Sequence, residues 1–172
     1  MLPSRDVPNG GSHFGEENKT MKRAIVAATV LAGLVAGVAG TAWAQTAADA
    51  IAQRQAGYKA MGAATGEVKK VLDASGDLTT VAAKAGEISA FARRIPTLFP
   101  VGSGVESGIT TRALPAVWQN KPDFEANAGI LGREADKLMA ALQANDKIAA
   151  TAAFVATTAQ CGVCHRSYLA PK

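Results

Sequence analysis

Sulfur and imidazole are scarce in this chain. Its 172 residues hold two cysteines and two histidines, and one of the histidines, His13, lies within the first twenty residues. Two cysteines are too few for a disulfide-rich scaffold. A structural zinc site wants about four ligands, and two Cys with one remaining His fall short. No run of alternating β-branched residues is present, which argues against a sheet. Concentrated charge is missing too: the formal net charge is +4 and the basic residues are spread along the sequence, so no nucleic-acid-binding patch forms.

The scarce residues gather in one place. Cys161-Gly162-Val163-Cys164-His165 spells C-x-x-C-H, the attachment signal for a c-type haem. Two thiols three residues apart can each add across one haem vinyl group, and the next residue then carries its imidazole beneath the iron, for which neutral imidazole is a strong ligand. A thioredoxin-like C-x-x-C pair would need a strand–helix context, whereas the flanks here are alanine-rich and helical in pattern.

Three segments follow from composition. Residues 1–20 are polar, carry Gly and Pro, and lack apolar periodicity; they read as a disordered extension or the product of an upstream start codon. Met21-Lys22-Arg23 opens a second, more conventional beginning. No charge follows Arg23 until Asp49, the intervening segment is rich in Ala, Val and Leu, and it ends Ala42-Trp43-Ala44. Residues 21–44 therefore read as a secretory signal peptide cleaved after Ala44, with a retained membrane anchor as the alternative. No cysteine closes the apolar run, so lipid anchoring is not indicated. Residues 45–172 keep 14 basic and 11 acidic residues, a net charge of +3. The expected location is the periplasm, free of the membrane once the leader is removed.

Within residues 45–172 four segments repeat apolar residues at helical spacing. The first, 46–73, carries Ile51, Arg54, Tyr58, Met61, Thr65, Val68 and Leu72. The second, 77–95, opens at the cap residue Asp77, carries Leu78, Val81, Ala85, Ile88, Ala92 and Ile95, and stops at Pro96. The third starts near Asn120 or Asp123, runs to about Ala144, and carries Phe124, Ala128, Leu131, Ala135, Leu138 and Leu142. The fourth, 146–169, carries Ile148, Ala152, Val155 and Ala159 and turns into Cys161 and His165. Short links at 74–76 and at Asn145 make antiparallel neighbours, and residues 97–119 form a longer crossover. The expected fold is all-α, an antiparallel four-helix bundle with covalently bound haem c. Alanine-rich helices bury little area each, so covering one haem should stabilise the fold by several kcal/mol, at roughly 25 cal/mol per Å².

Arg54 stands on an apolar stripe, where a charge needs a partner. Haem propionates would supply one through charge-assisted hydrogen bonds; snorkelling at the bundle end is the alternative. Tyr58 and Met61 follow one and two turns later, facing inward. No second histidine remains for the sixth position of the iron. That leaves either a five-coordinate iron with an open face or a six-coordinate one that uses Met61.

Taken together these residues resemble cytochrome c′, the class II c-type cytochromes. Three blocks carry the resemblance: Arg54-Gln55-Ala56-Gly57-Tyr58-Lys59-Ala60-Met61-Gly62; Leu98-Phe99-Pro100-Val101-Gly102-Ser103 with Thr111-Arg112-Ala113-Leu114-Pro115-Ala116-Val117-Trp118; and Cys161–His165 followed by Tyr168. The resemblance implies one haem c per chain, Cys161 and Cys164 as its thioether anchors, and His165 as the proximal metal ligand. It implies Arg54 and Gln55 beside the propionates, Arg112 at the haem edge, and Tyr58 as a bulky residue over the sixth site. It further implies a homodimer with a high-spin iron that admits NO or CO, capable of electron transfer with an unidentified periplasmic redox partner. Family members commonly carry a basic residue just after the terminal tyrosine; here Leu169 stands there and Arg166 comes earlier.

Three functional classes follow. The first is a non-enzymatic haem protein that binds diatomic gas, serving NO buffering or scavenging. The second is a low-spin electron-transfer cytochrome with Met61 as sixth ligand. Peroxidase or nitrite-reductase chemistry would want a polar acid–base group over the iron, and the first stripe offers no carboxylate and the chain no spare histidine.

Overall fold

The computed structural model describes residues 46–171, and the expected extension (1–20) and leader (21–44) lie outside them. Helix α1, Ala47–Ala74, starts where the Thr46 hydroxyl accepts from the Asp49 amide. It ends at Ser75, whose backbone turns left-handed at φ 53°. Helix α2 spans Ala82–Arg94, the short α3 Ala116–Gln119, α4 Lys121–Gln143 and α5 Lys147–Tyr168. Asp146 caps α5, accepting from the amides of Ile148 and Ala149. No strand forms among the described residues; one isolated antiparallel bridge joins Ala113 to Leu169.

The two short links meet at one end of the bundle. Asn145 Oδ1 accepts from the Leu78 amide across 67 positions of sequence, and Lys147 bonds to Ser75. The crossover and the end of α5 meet at the other. There the Leu114 amide donates to the Tyr168 carbonyl and the Ala170 amide to the Arg112 carbonyl. The α2–α4 and α4–α5 contacts are extensive, whereas α1 and α5 barely touch. That gap between the first and last helices is where the site lies.

The stripes of α2 and α4 are buried throughout, from Leu78 to Ile95 and from Phe124 to Leu142. On α1, Ile51, Arg54, Val68 and Leu72 are buried, while Tyr58, Met61 and Thr65 are half-buried. Near the short links the core is Val68, Leu72, Leu78, Val81, Leu138 and Leu142. Near the crossover it is Ile88, Ile95, Phe99, Val117, Phe124, Leu131 and Tyr168.

Three expectations are corrected. The segment after Asp77 is not α-helical at once: Leu78–Val81 is a 3-10 turn, because Asp77 holds the Thr79 amide and hydroxyl and its carbonyl holds the Thr80 hydroxyl. Pro96 does not stop the chain but sits in a second 3-10 turn, Ile95–Leu98, and the crossover also contains α3. The stripe assigned to α5 lies on the wrong face. Ile148 is 85% and Val155 61% exposed, and Ala152 and Ala159 are exposed as well. The inward row is Ala150, Ala153, Thr157, Cys161, Cys164 and Tyr168. Its small side chains let α5 approach α4 closely, while the larger aliphatics point outward.

Candidate functional site

Between α1 and α5 lies a cavity of about 540 Å³. Arg54, Gln55, Tyr58 and Met61 line it from α1, Arg112 from the crossover, and Cys161, Cys164 and His165 from α5. All eight residues singled out in the sequence therefore meet in one place. The apolar floor comes from Ile95, Phe99, Val117, Phe124 and Leu131. Four further lining residues had no place in the sequence analysis as site residues: Gly62, Thr65, Thr111 and Gln160. Gln160 stands one turn before Cys164, so helical spacing alone places it on the same wall.

Cys161 and Cys164 are half-buried free thiols, and burial pushes both up from the ordinary thiol range. His165 follows at an exposed position on the cavity rim. Gln160 Oε1 is buried and has no hydrogen-bond partner among the described residues. A wide apolar cavity, two free thiols a turn apart on one wall, an adjoining imidazole and an amide oxygen not spent within the protein together fit a covalently attached haem.

Arg54 is 3% exposed, which removes the snorkelling alternative. Its Nη1 donates to Ser103 Oγ at 3.0 Å and to the Leu98 carbonyl at 3.5 Å. Its Nη2 donates to the Ser103 carbonyl and to Thr111 Oγ1, each at 2.7 Å. The guanidinium also lies 4.5 Å from the centre of the Phe99 ring. The partner its burial demands is thus supplied by the crossover. Burial pulls the Arg54 pKa down, and Tyr58 and then Glu106 oppose that shift. Gln55 reinforces the clamp through Nε2 to the Thr110 carbonyl, and Arg112 Nε donates to the Ala170 carbonyl at 2.9 Å.

Tyr58 packs edge-on against Phe91, with ring centres 5.1 Å apart and planes at 84°. Gly57 makes this possible: a Cβ there would stand 1.9 Å from the Phe91 ring. A glycine in mid-helix costs about 1 kcal/mol relative to alanine and so signals a close approach. Burial pushes the Tyr58 phenol well above its ordinary range, with a further upward contribution from Cys164.

At the end of α5 the Tyr168 hydroxyl donates to the Asp123 carboxylate, and the ring stacks edge-on with Phe124 at 5.1 Å. That hydrogen bond, helped by burial, pushes the phenol from 10.0 up to about 12. The folded value exceeds the unfolded one, so this contribution to stability is complete below the unfolded pKa and is lost as pH rises through the folded one. Between pH 10 and about 12 the wild type should lose stability that Tyr168→Phe does not lose. Denaturant midpoints measured across that window check it; parallel curves for the two proteins would contradict it.

Helical bundle, end-on cavity and C-x-x-C-H wall define a c-type haem protein of the bundle class. The family model for cytochrome C′ matches residues 49–169. The chain belongs to the cytochrome c′ family, and its cofactor is haem c. It is 42% identical over 92 residues to cytochrome c-556 of Agrobacterium tumefaciens, spanning 54% of this chain and 71% of that one. The crystal structure of cytochrome c′ from Thermochromatium tepidum matches with a TM-score of 0.69 at 31% identity, over 74% of this chain and all of that one. A second solved cytochrome c′, at 28% identity and a TM-score of 0.68, covers 74% of this chain and 99% of its own; it is described as having an unusual ligand-controlled dimer dissociation.

Proposed function

We propose that the chain is a periplasmic gas-binding cytochrome, with haem c fastened through Cys161 and Cys164, His165 as the proximal ligand, and the Tyr58 side of the iron open to NO and CO. Haem c would supply an iron centre that binds a diatomic ligand and changes between two oxidation states. The observation behind this reading is the position of Tyr58. It projects from α1 into the cavity and feels the charge of Cys164 and Cys161 on the facing wall. Its ring, braced by Phe91, would screen the sixth position without ligating it.

The other residues have plain tasks in this reading. Phe99, Phe124 and Leu131 exclude water. Neutral diatomics enter such a pocket at little desolvation cost, whereas an ion gives up its hydration. Arg54, Gln55 and Arg112 would stand beside the propionates, Arg54 while it clamps the crossover. No carboxylate lines the cavity among the described residues, which favours binding and electron exchange over catalysis. NO buffering or scavenging is the role proposed, with a homodimer as the assembly and a periplasmic redox protein as the electron partner.

Met61 lines the same cavity from α1, and this favours a second reading in which its thioether closes the sixth position for electron transfer alone. Absorption and EPR spectra of the purified protein separate the two. The open site predicts a high-spin resting iron that Met61→Ala barely alters. A low-spin spectrum that turns high-spin in Met61→Ala would establish the second reading instead.

A further inference from the structure

Four hydroxyls line the cavity: Tyr58, Thr65, Thr111 and Tyr168. Three are spoken for. Thr65 donates to the Met61 carbonyl at 2.8 Å, Thr111 accepts from Arg54 and from the Ala113 amide, and Tyr168 donates to Asp123. The Tyr58 hydroxyl makes no hydrogen bond among the described residues. Phe91 fixes its ring edge-on, and Gly57 admits Phe91 to that position, so the ring cannot easily swing away to find a partner. Arg54 lies near enough to influence it electrostatically but offers only donors, and these are engaged with the crossover. Burial holds the phenol protonated, which makes it a donor and not an anionic ligand for iron.

We propose that the Tyr58 hydroxyl donates a hydrogen bond to the ligand on the open side of the haem and so tilts preference toward ligands that carry negative charge at the iron-bound atom. This rests on the open-face reading and deepens it. A purely apolar lid would reject anions; a lid with one uncommitted O–H offsets part of their desolvation cost with a charge-assisted bond. Neutral CO is a poor acceptor and gains little from it. The pocket is therefore selective by acceptor strength as well as by size.

The test uses the haem-loaded full chain and Tyr58→Phe, which keeps the ring and its Phe91 contact. Fluoride probes the ferric protein and CO the ferrous protein. The expected result is a loss of fluoride affinity of about tenfold or more in Tyr58→Phe, the size of a hydrogen bond to a charged group, with CO affinity much less changed. Equal shifts for both probes would reduce Tyr58 to a space-filling role, and no shift for either would remove the donor altogether. A low-spin wild type that takes up neither probe until Met61 is replaced by alanine would overturn the open face, and this role with it.

Discussion

Replacing both anchors, Cys161→Ala with Cys164→Ala, should yield a chain without covalent porphyrin and with most of its cooperative unfolding lost. The reason lies in how the bundle is closed. Helices α1 and α5 barely touch, and the cavity between them is floored by Phe99, Phe124 and Leu131. Covering that apolar surface contributes on the order of several kcal/mol at roughly 25 cal/mol per Å², a large part of the about 5–15 kcal/mol available to a domain of this size. The alanine-rich inward row of α5 supplies little burial to replace it. Each single replacement should keep one thioether and the mass of one porphyrin. Thermal unfolding followed by circular dichroism, with intact mass as the control, checks this. A double variant that unfolds as sharply and as high as the wild type would show that the helices close without their cofactor.

The second large effect is expected at Arg54. Arg54→Ala removes the donors to Leu98, to both oxygens of Ser103 and to Thr111, together with the charge over Phe99. Ser103 is fully buried, so its carbonyl is left unpaired away from water. Unsatisfied buried acceptors cost about 1–3 kcal/mol each, so the variant should lose about 3–5 kcal/mol. Arg54→Lys should recover less than half. A single ammonium cannot reproduce the planar fork that reaches Ser103 and Thr111 together. Gln55→Ala, at an exposed position with one bond to the Thr110 carbonyl, should cost less than about 1 kcal/mol. Denaturant unfolding of the haem-loaded proteins ranks the three; an Arg54→Ala loss no larger than that of Gln55→Ala would contradict the clamp.

Much of this was legible in the sequence, and the parts that were not share a physical cause. Helices α2 and α4 announce themselves because Leu, Ile and Phe recur on the face they bury. Helix α5 misleads because its largest aliphatics, Ile148 and Val155, are exposed while alanine, threonine and cysteine face inward. Periodicity in hydrophobic size does not find a face chosen for closeness and for a cofactor. The crossover hides its own turns, since Pro100, Gly102, Gly104, Gly108 and Pro115 read as loop even where α3 forms next to them.

The site was more legible than the fold details around it. The eight residues named from the sequence line one cavity because C-x-x-C-H fixes one wall and the α1 stripe fixes the other. What Arg54 holds was out of reach: Ser103 and Thr111 lie 49 and 57 positions away, in irregular chain that no periodicity predicts. The link between Asp123 and Tyr168 spans 45 positions and was equally hidden. Gly57 offered a signal, a helix-interior glycine beside an aromatic, and Phe91 is what it accommodates.

The central claim is that one porphyrin is fastened to Cys161 and Cys164 and enclosed between the first and last helices of residues 45–172. Intact-mass measurement of the exported protein tests it most directly. The account predicts a chain beginning at Gln45 and heavier by one haem, held through denaturation. A mass equal to the polypeptide alone would contradict it.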